Sequence, residues 1–299
     1  MKKNLFAFSL VALFSLLLIR CNSKNNIVSG KISDYTNLAV GKFIIYKLDS
    51  TVTLPFGTGF TTNSYTVKDS VEAMLTDNLN RPAYRVVRYI WDPAAKVWNN
   101  SNAFMAIQTA DRFEYIENNM RQLRMVSPIV DNFSWNGNSG IAEPPFHFST
   151  NDNEYLFWVF SYANTGLPFT VGNQTFDTTV TVVQYDSNNN KPFNAIGLST
   201  YSRSYEVYAK GVGKIFQDLL AWEYHTSFFT RNCKMIHCLN NKCDTTAIRC
   251  NTDELAGGQN CDSIARAQLD AGVRIVCDTI PGNFSYDGYG VRLSIISHN

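Results

Sequence analysis

Six of the seven cysteines fall within one short stretch, spaced C-x4-C-x4-C-x6-C-x10-C-x15-C from Cys233 through Cys238, Cys243, Cys250 and Cys261 to Cys277. Thiols at that density either pair oxidatively or hold a soft metal. Structural zinc sites gather tight C-x2–4-C pairs into two groups. Here the gaps widen steadily and C-x2-C is absent, although His237 adjoins Cys238. The spacing therefore predicts three disulfides and no metal. Fifteen pairings of six cysteines exist, and spacing does not choose among them. The physical need is plain, because so small a segment buries too little apolar area to fold unaided. Each bridge contributes about 2–4 kcal/mol by restricting the unfolded chain.

Other candidates for chemistry are sparse. The four histidines are His147, His225, His237 and His298. A general base needs a partnered nucleophile or acid within hydrogen-bond reach. No G-x-S-x-G, H-E-x-x-H, P-loop or G-x-G-x-x-G accompanies the histidines. Gly211-Val212-Gly213 lacks a third glycine and a following helix, so it is expected to form a bulge or bend in a sheet. Glu114 and Glu117 are three apart, but a glycosidase needs its carboxylates across a cleft. The run Tyr155-Leu156-Phe157-Trp158-Val159-Phe160 reads as core packing, with a sugar-stacking platform or cavity wall as the functional alternative. No catalytic residue and no cofactor is assigned, and the ligand-contacting residues stay unassigned.

The seventh cysteine stands apart. Lys2 and Lys3 precede an uninterrupted apolar run, Leu5 to Ile19. As a helix that run reaches roughly 22 Å, short of the ~30 Å hydrocarbon core. It reads as the h-region of a signal peptide. The sequence Leu18-Ile19-Arg20-Cys21 resembles a bacterial lipobox, in which the thiol is acylated with palmitate-type chains and the leader is cut before the cysteine. Arg20 departs from the small residue usual there. The resemblance implies a signal peptide over 1–20, lipid attachment at Cys21 and a lipidated tether over 21–40, with the membrane as partner. Multiple acyl chains exceed the two signals that stable anchoring needs. Asn22 to Asn26 carries no acidic residue. The expectation is an outer-membrane lipoprotein of the bacterial cell envelope, facing the periplasm.

These residues need a frame to hold them. The chain has 299 residues, 45% hydrophobic and 17% charged, with 20 Phe and 15 Tyr, which excludes both a disordered chain and a multi-span membrane protein. The formal charge of +1, without basic clusters, excludes a nucleic-acid partner. Period-2 alternation dominates from Phe43 to Trp222. Strands are expected at 43–50, 64–72, 84–91, 97–108, 112–116, 119–126, 176–185, 200–208 and 215–225, with loops at 132–138 and 186–191. A helix is expected only at 262–271. A meander of this many strands curls to remove its edges. The fold class is therefore mainly β: an antiparallel meander curled into a half-open or closed barrel, with an aromatic inner face.

Four segments carry a further resemblance. They are Phe43 to Ser50, Asn119 to Arg124 with Pro128 and Trp135 to Asn138, Tyr208 to Ile215, and Tyr289 to Leu293. Together they resemble Bacteroidota outer-membrane lipoproteins that carry no assigned function and, more distantly, the lipid-carrier half-barrels of the LolA/LppX type. The resemblance implies a barrel-like domain over 41–226 plus 283–299, with 227–282 as a cysteine-rich insertion between the last two strands. It implies a non-catalytic protein that binds an apolar or lipid-like ligand in a sheet cavity. The alternatives are a structural or adhesive envelope protein, contacting a protein or glycan through the insertion, and, ranked last, a hydrolase.

Overall fold

The computed structural model describes residues 30–141, 154–188, 199–226, 230–239, 242–251, 273–280 and 284–299, with the backbone alone across 225–284. The predicted helix at 262–271, Cys21 and His147 lie outside these residues.

One short helix, α1 (Ile32–Thr36), precedes the strands. The first six strands are β1 (Phe43–Thr53), β2 (Phe60–Thr76), β3 (Pro82–Asp92), β4 (Val97–Gln108), β5 (Arg112–Glu117) and β6 (Met120–Val126). The next five are β7 (Ser134–Asn136), β8 (Val159–Ala163), β9 (Phe169–Val171), β10 (Gln174–Phe176) and β11 (Thr179–Asn188). The last six are β12 (Ser199–Ala209), β13 (Gly213–Thr226), β14 (Thr230–Leu239), β15 (Lys242–Asn251), β16 (Val273–Ile280) and β17 (Phe284–His298). Twelve form one antiparallel sheet in the order β6-β5-β4-β3-β2-β1-β17-β13-β12-β11-β8-β7. The expected meander is present; β1, β2, β3, β12 and β13 run longer than the alternation marked, β4 coincides with it, and the strand expected at 176–185 is split between β10 and β11.

The turns follow from local chemistry. Asp92 accepts the amides of Ala94 and Ala95 at 2.8 and 3.0 Å, which ends β3. Asn118 and Asn119 both take positive φ, 50° and 63°, the pattern of a tight hairpin turn between β5 and β6. Gly211 and Gly213, with φ of 76° and 109°, form the turn joining β12 to β13. The expected bulge or bend is thus a hairpin turn, and a bulge lies beside it, between Val207 and Tyr208. Two loop expectations also change. Residues 134–136 form β7, and β11 continues through Asn188 where a turn was expected.

The sheet nearly closes on itself. The Leu123 amide donates to Gly137 O at 2.7 Å, and Arg121 bridges to Gly140 just after β7. The Trp135 indole N–H donates to Leu123 O at 2.7 Å. Tyr162 closes the same seam: its hydroxyl accepts from the Val126 amide and donates to the Val126 carbonyl, both at 2.8 Å. Edges are satisfied here by a few bonds and ring packing in place of a full ladder. Helix α1 buries Ile32 and Tyr35 against one end of the sheet, beside Val71, Phe104 and Phe113. Gly211 N donates to Asp34 O at 2.6 Å, which ties the helix to the β12–β13 turn. Outside the sheet, the β9–β10 hairpin sets Phe169 against Phe216, with ring centres 5.6 Å apart.

The chain leaves the large sheet at Thr226 and re-enters at Phe284, its ladder partner. Between them, β14, β15 and β16 make a separate three-stranded sheet, ordered β15-β14-β16.

Candidate ligand-binding site

The interior is not uniformly apolar. Strand alternation brings Tyr46 (β1), Asp69 (β2), Tyr115 (β5), Arg124 (β6), Glu206 (β12) and Lys214 (β13) around one cavity. Six different strands therefore supply this wall, which only a curled sheet allows. Arg88 lies directly opposite Asp69 in the β2–β3 ladder and donates to both carboxylate oxygens at 2.6 Å. Arg124 reaches across the interior from β6 and pairs with Glu206 on β12. Lys214 donates to the same carboxylate at 3.1 Å, and the Tyr208 hydroxyl donates to it at 2.7 Å. Lys214 also donates to Gln217 at 2.7 Å. The Tyr46 hydroxyl donates to Lys214 O at 2.7 Å. The Arg124 guanidinium lies 5.5 Å and the Lys214 ammonium 5.7 Å from the Tyr115 ring centre, within cation–π range.

Burial sets the protonation states. It would raise the Glu206 carboxyl, but Arg124 and Lys214 outweigh it and hold the group down at about 2. Burial pushes the Lys214 ammonium down, against the pull of Glu206. The phenols of Tyr46, Tyr115 and Tyr208 are pushed well up by burial, with nearby carboxylates adding to it. Glu206 is 1% exposed. A carboxylate so placed is tolerated only because two cations and a phenol satisfy it.

Above this floor the wall turns apolar. Leu38, Ile44, Val71, Val86, Ala106 and Phe113 line the cavity, together with Lys42 and Asn299. Its volume is about 90 Å³. A second cavity of about 180 Å³ lies on the far side of Tyr115, Arg124 and Lys214, lined by Leu48, Arg88, Glu117, Tyr289, Val291 and Leu293. The three shared side chains form a partition between the two spaces. Pockets of this type, apolar with a few convergent polar groups of shifted pKa, are the usual form of a small-molecule site.

The sequence-level candidates are placed differently. Glu114 is held between Arg81, at 2.9 and 3.0 Å, and Arg121, whereas Glu117 lines the second cavity. An odd separation along a strand puts them on opposite faces, so they cannot act on one bond. Trp158 and Phe160 are buried; Trp158 stacks on Tyr185 at 4.8 Å and 3°, as expected of core packing, while Phe157 is exposed. His298 is exposed, and the side chains of His225, His237 and the six clustered cysteines fall outside the described residues.

The charged floor escaped sequence reading. In β12 the apolar positions Tyr205, Val207 and Ala209 suggest the inner face and Glu206 the outer. The reverse holds, because the β9–β10 hairpin covers the outer face and buries Val207. The four segments that carried the family resemblance all reach the interior: Ile44 and Tyr46, Arg124, Tyr208 and Lys214, and Tyr289, Val291 and Leu293. No protein-family model, curated protein or solved structure matches the chain.

Proposed function

We propose that the protein is a non-catalytic, lipid-anchored protein of the bacterial cell envelope that holds one end of a lipid-like amphiphile inside its curled sheet. The observation that carries this reading is one cavity whose lining joins the apolar side chains of Leu38, Ile44, Val71, Val86, Ala106 and Phe113 to Lys214, Arg124 and Tyr115. An alkyl segment suits the wall, and an anionic head group suits the floor. Lys42, Arg124 and Lys214 line this cavity against Asp69 and Glu206, an excess of one cation. At about 90 Å³ the space is below the ~300 Å³ of a drug-sized site, so it takes the end of a ligand and not its whole length. Anchoring through Cys21 fits this role, since it would keep the protein at a membrane that supplies amphiphiles.

The test is displacement of a fluorescent fatty acid from the mature protein by unlabelled fatty acid, lysophosphatidylglycerol and monoacylglycerol. The two anionic competitors should bind, and Lys214→Met should weaken them about tenfold, the loss of one charge-assisted contact worth about 1.5 kcal/mol. The neutral monoacylglycerol should change little. Val86→Trp, which fills the wall, should abolish binding of all three. Equal affinities in all variants would refute the site. Separately, Cys21→Ser should move the protein from the membrane to the soluble fraction and end palmitate incorporation.

A further inference from the structure

The backbone register of the small sheet narrows the fifteen cysteine pairings. Cys238 on β14 lies directly opposite Cys243 on β15, and Cys233 on β14 lies directly opposite Cys277 on β16. Strand β14 is the central one, so each pair joins it to a different neighbour. We propose that Cys238–Cys243 and Cys233–Cys277 are disulfides.

Ladder parity supports both assignments. The β14–β15 ladder ends at Leu239 opposite Lys242, with two residues between them. The pair flanking a two-residue hairpin loop exchanges both backbone hydrogen bonds, so the next pair inward, Cys238 and Cys243, is a non-hydrogen-bonded one. Counting back five residues, Cys233 is a hydrogen-bonded position toward β15 and therefore a non-hydrogen-bonded one toward β16. Both pairs thus occupy the close class of antiparallel partners, with Cα atoms about 4.5 Å apart, inside the ~4.4–6.8 Å range of disulfides. The same count excludes a shared metal. Five residues along a strand span about 16 Å and place the two pairs on opposite faces, whereas zinc holds its thiolates at ~2.3 Å.

Formation of each bridge joins two sulfurs and releases two protons and two electrons. The acceptor is an oxidised dithiol–disulfide oxidoreductase, whose own disulfide becomes a dithiol by exchange through a mixed disulfide. The full chain, exported into an oxidising compartment, is alkylated without reductant under denaturing conditions. It is then cut with trypsin and a glutamate-specific protease. Cuts after Lys234, Lys242, Arg249, Glu254 and Arg266 separate all six cysteines. Mass spectrometry should find the Cys233 peptide joined to the Cys277 peptide, and the Cys238 peptide joined to the Cys243 peptide. A missed cut at Lys242 leaves the latter pair as one peptide lighter by two hydrogens than its reduced form, which reads the same bridge. An alkylated thiol at any of these four positions, or a link from Cys233 or Cys238 to Cys250 or Cys261, would overturn the assignment.

Discussion

Glu206 is the residue on which the interior depends, and its role has consequences in two directions. Removing its carboxylate in Glu206→Ala leaves Arg124 and Lys214 buried without their shared anion. That change should cost about 3–5 kcal/mol, read from urea unfolding. Replacing Glu206, Arg124 and Lys214 together by Leu and Met should cost less than Glu206→Ala alone, since a buried ion cluster breaks roughly even with a packed apolar one. Acid is the second lever. The folded carboxyl sits at about 2, below its ordinary unfolded value, so its contribution is complete above roughly pH 5 and fades as pH falls toward 2. The urea midpoint should therefore drop between pH 5 and pH 2.5, and the drop should be smaller in Glu206→Gln than in the parent. Lys214 works in the same direction in a higher window: its lowered value makes the folded state gain stability as pH rises into the alkaline range. None of this was legible from alternation. A charged residue facing into a sheet and one facing water share the same period-2 pattern, and only the covering hairpin decides between them.

Elements were far more legible than the residues they carry. β4 begins and ends where the alternation placed it, because Asp92-Pro93 and Thr109 to Asp111 are unambiguous turn chemistry. β7 was missed because three residues are too few to show a period, and its Asn-Gly-Asn neighbours look like loop. Yet β7 is the strand that meets β6. A Cβ added at Gly137 would lie 2.3 Å from the Phe160 ring, at the position whose carbonyl receives the Leu123 amide. Gly137→Ala should cost about 1–3 kcal/mol by overpacking. Amide exchange at Leu123 should speed up more than exchange at β1 or β17, because the seam opens before the ladders do. Gly172, at the tip of the β9–β10 hairpin, offers the contrast. Nothing lies within 4 Å of its added Cβ, and its φ is 57°. Gly172→Ala should cost only about 1 kcal/mol, from backbone strain, and leave exchange at Leu123 unchanged.

At the scale of the molecule the chain order and the sheet order disagree in one place, and the disagreement is informative. β13 and β17 are neighbours through Thr226 opposite Phe284, although 57 residues separate them in sequence. Paired neighbours of this kind lie about 5 Å apart, a gap that a two-residue turn closes. The large sheet therefore draws no ladder bond from β14, β15 or β16. Replacing residues 227–283 by Asn-Gly should leave the twelve-stranded sheet folded. Shortening the connection removes closure entropy on the order of 3 kcal/mol if the excised loop is flexible, and almost none if its own bridges already hold its ends together. The thermal midpoint of the shortened chain therefore separates two cases. A rise of several degrees marks a segment that burdens the sheet, and an unchanged midpoint marks one that is self-contained. Reduction of the full-length protein distinguishes them again: a self-contained stapled segment becomes a flexible loop once its bridges open, so the midpoint of the sheet should fall on reduction in the parent and stay fixed in the shortened chain. Loss of near-ultraviolet dichroism from Trp135, Trp158 and Tyr162 in the shortened chain would instead show that the segment is part of the barrel's own core.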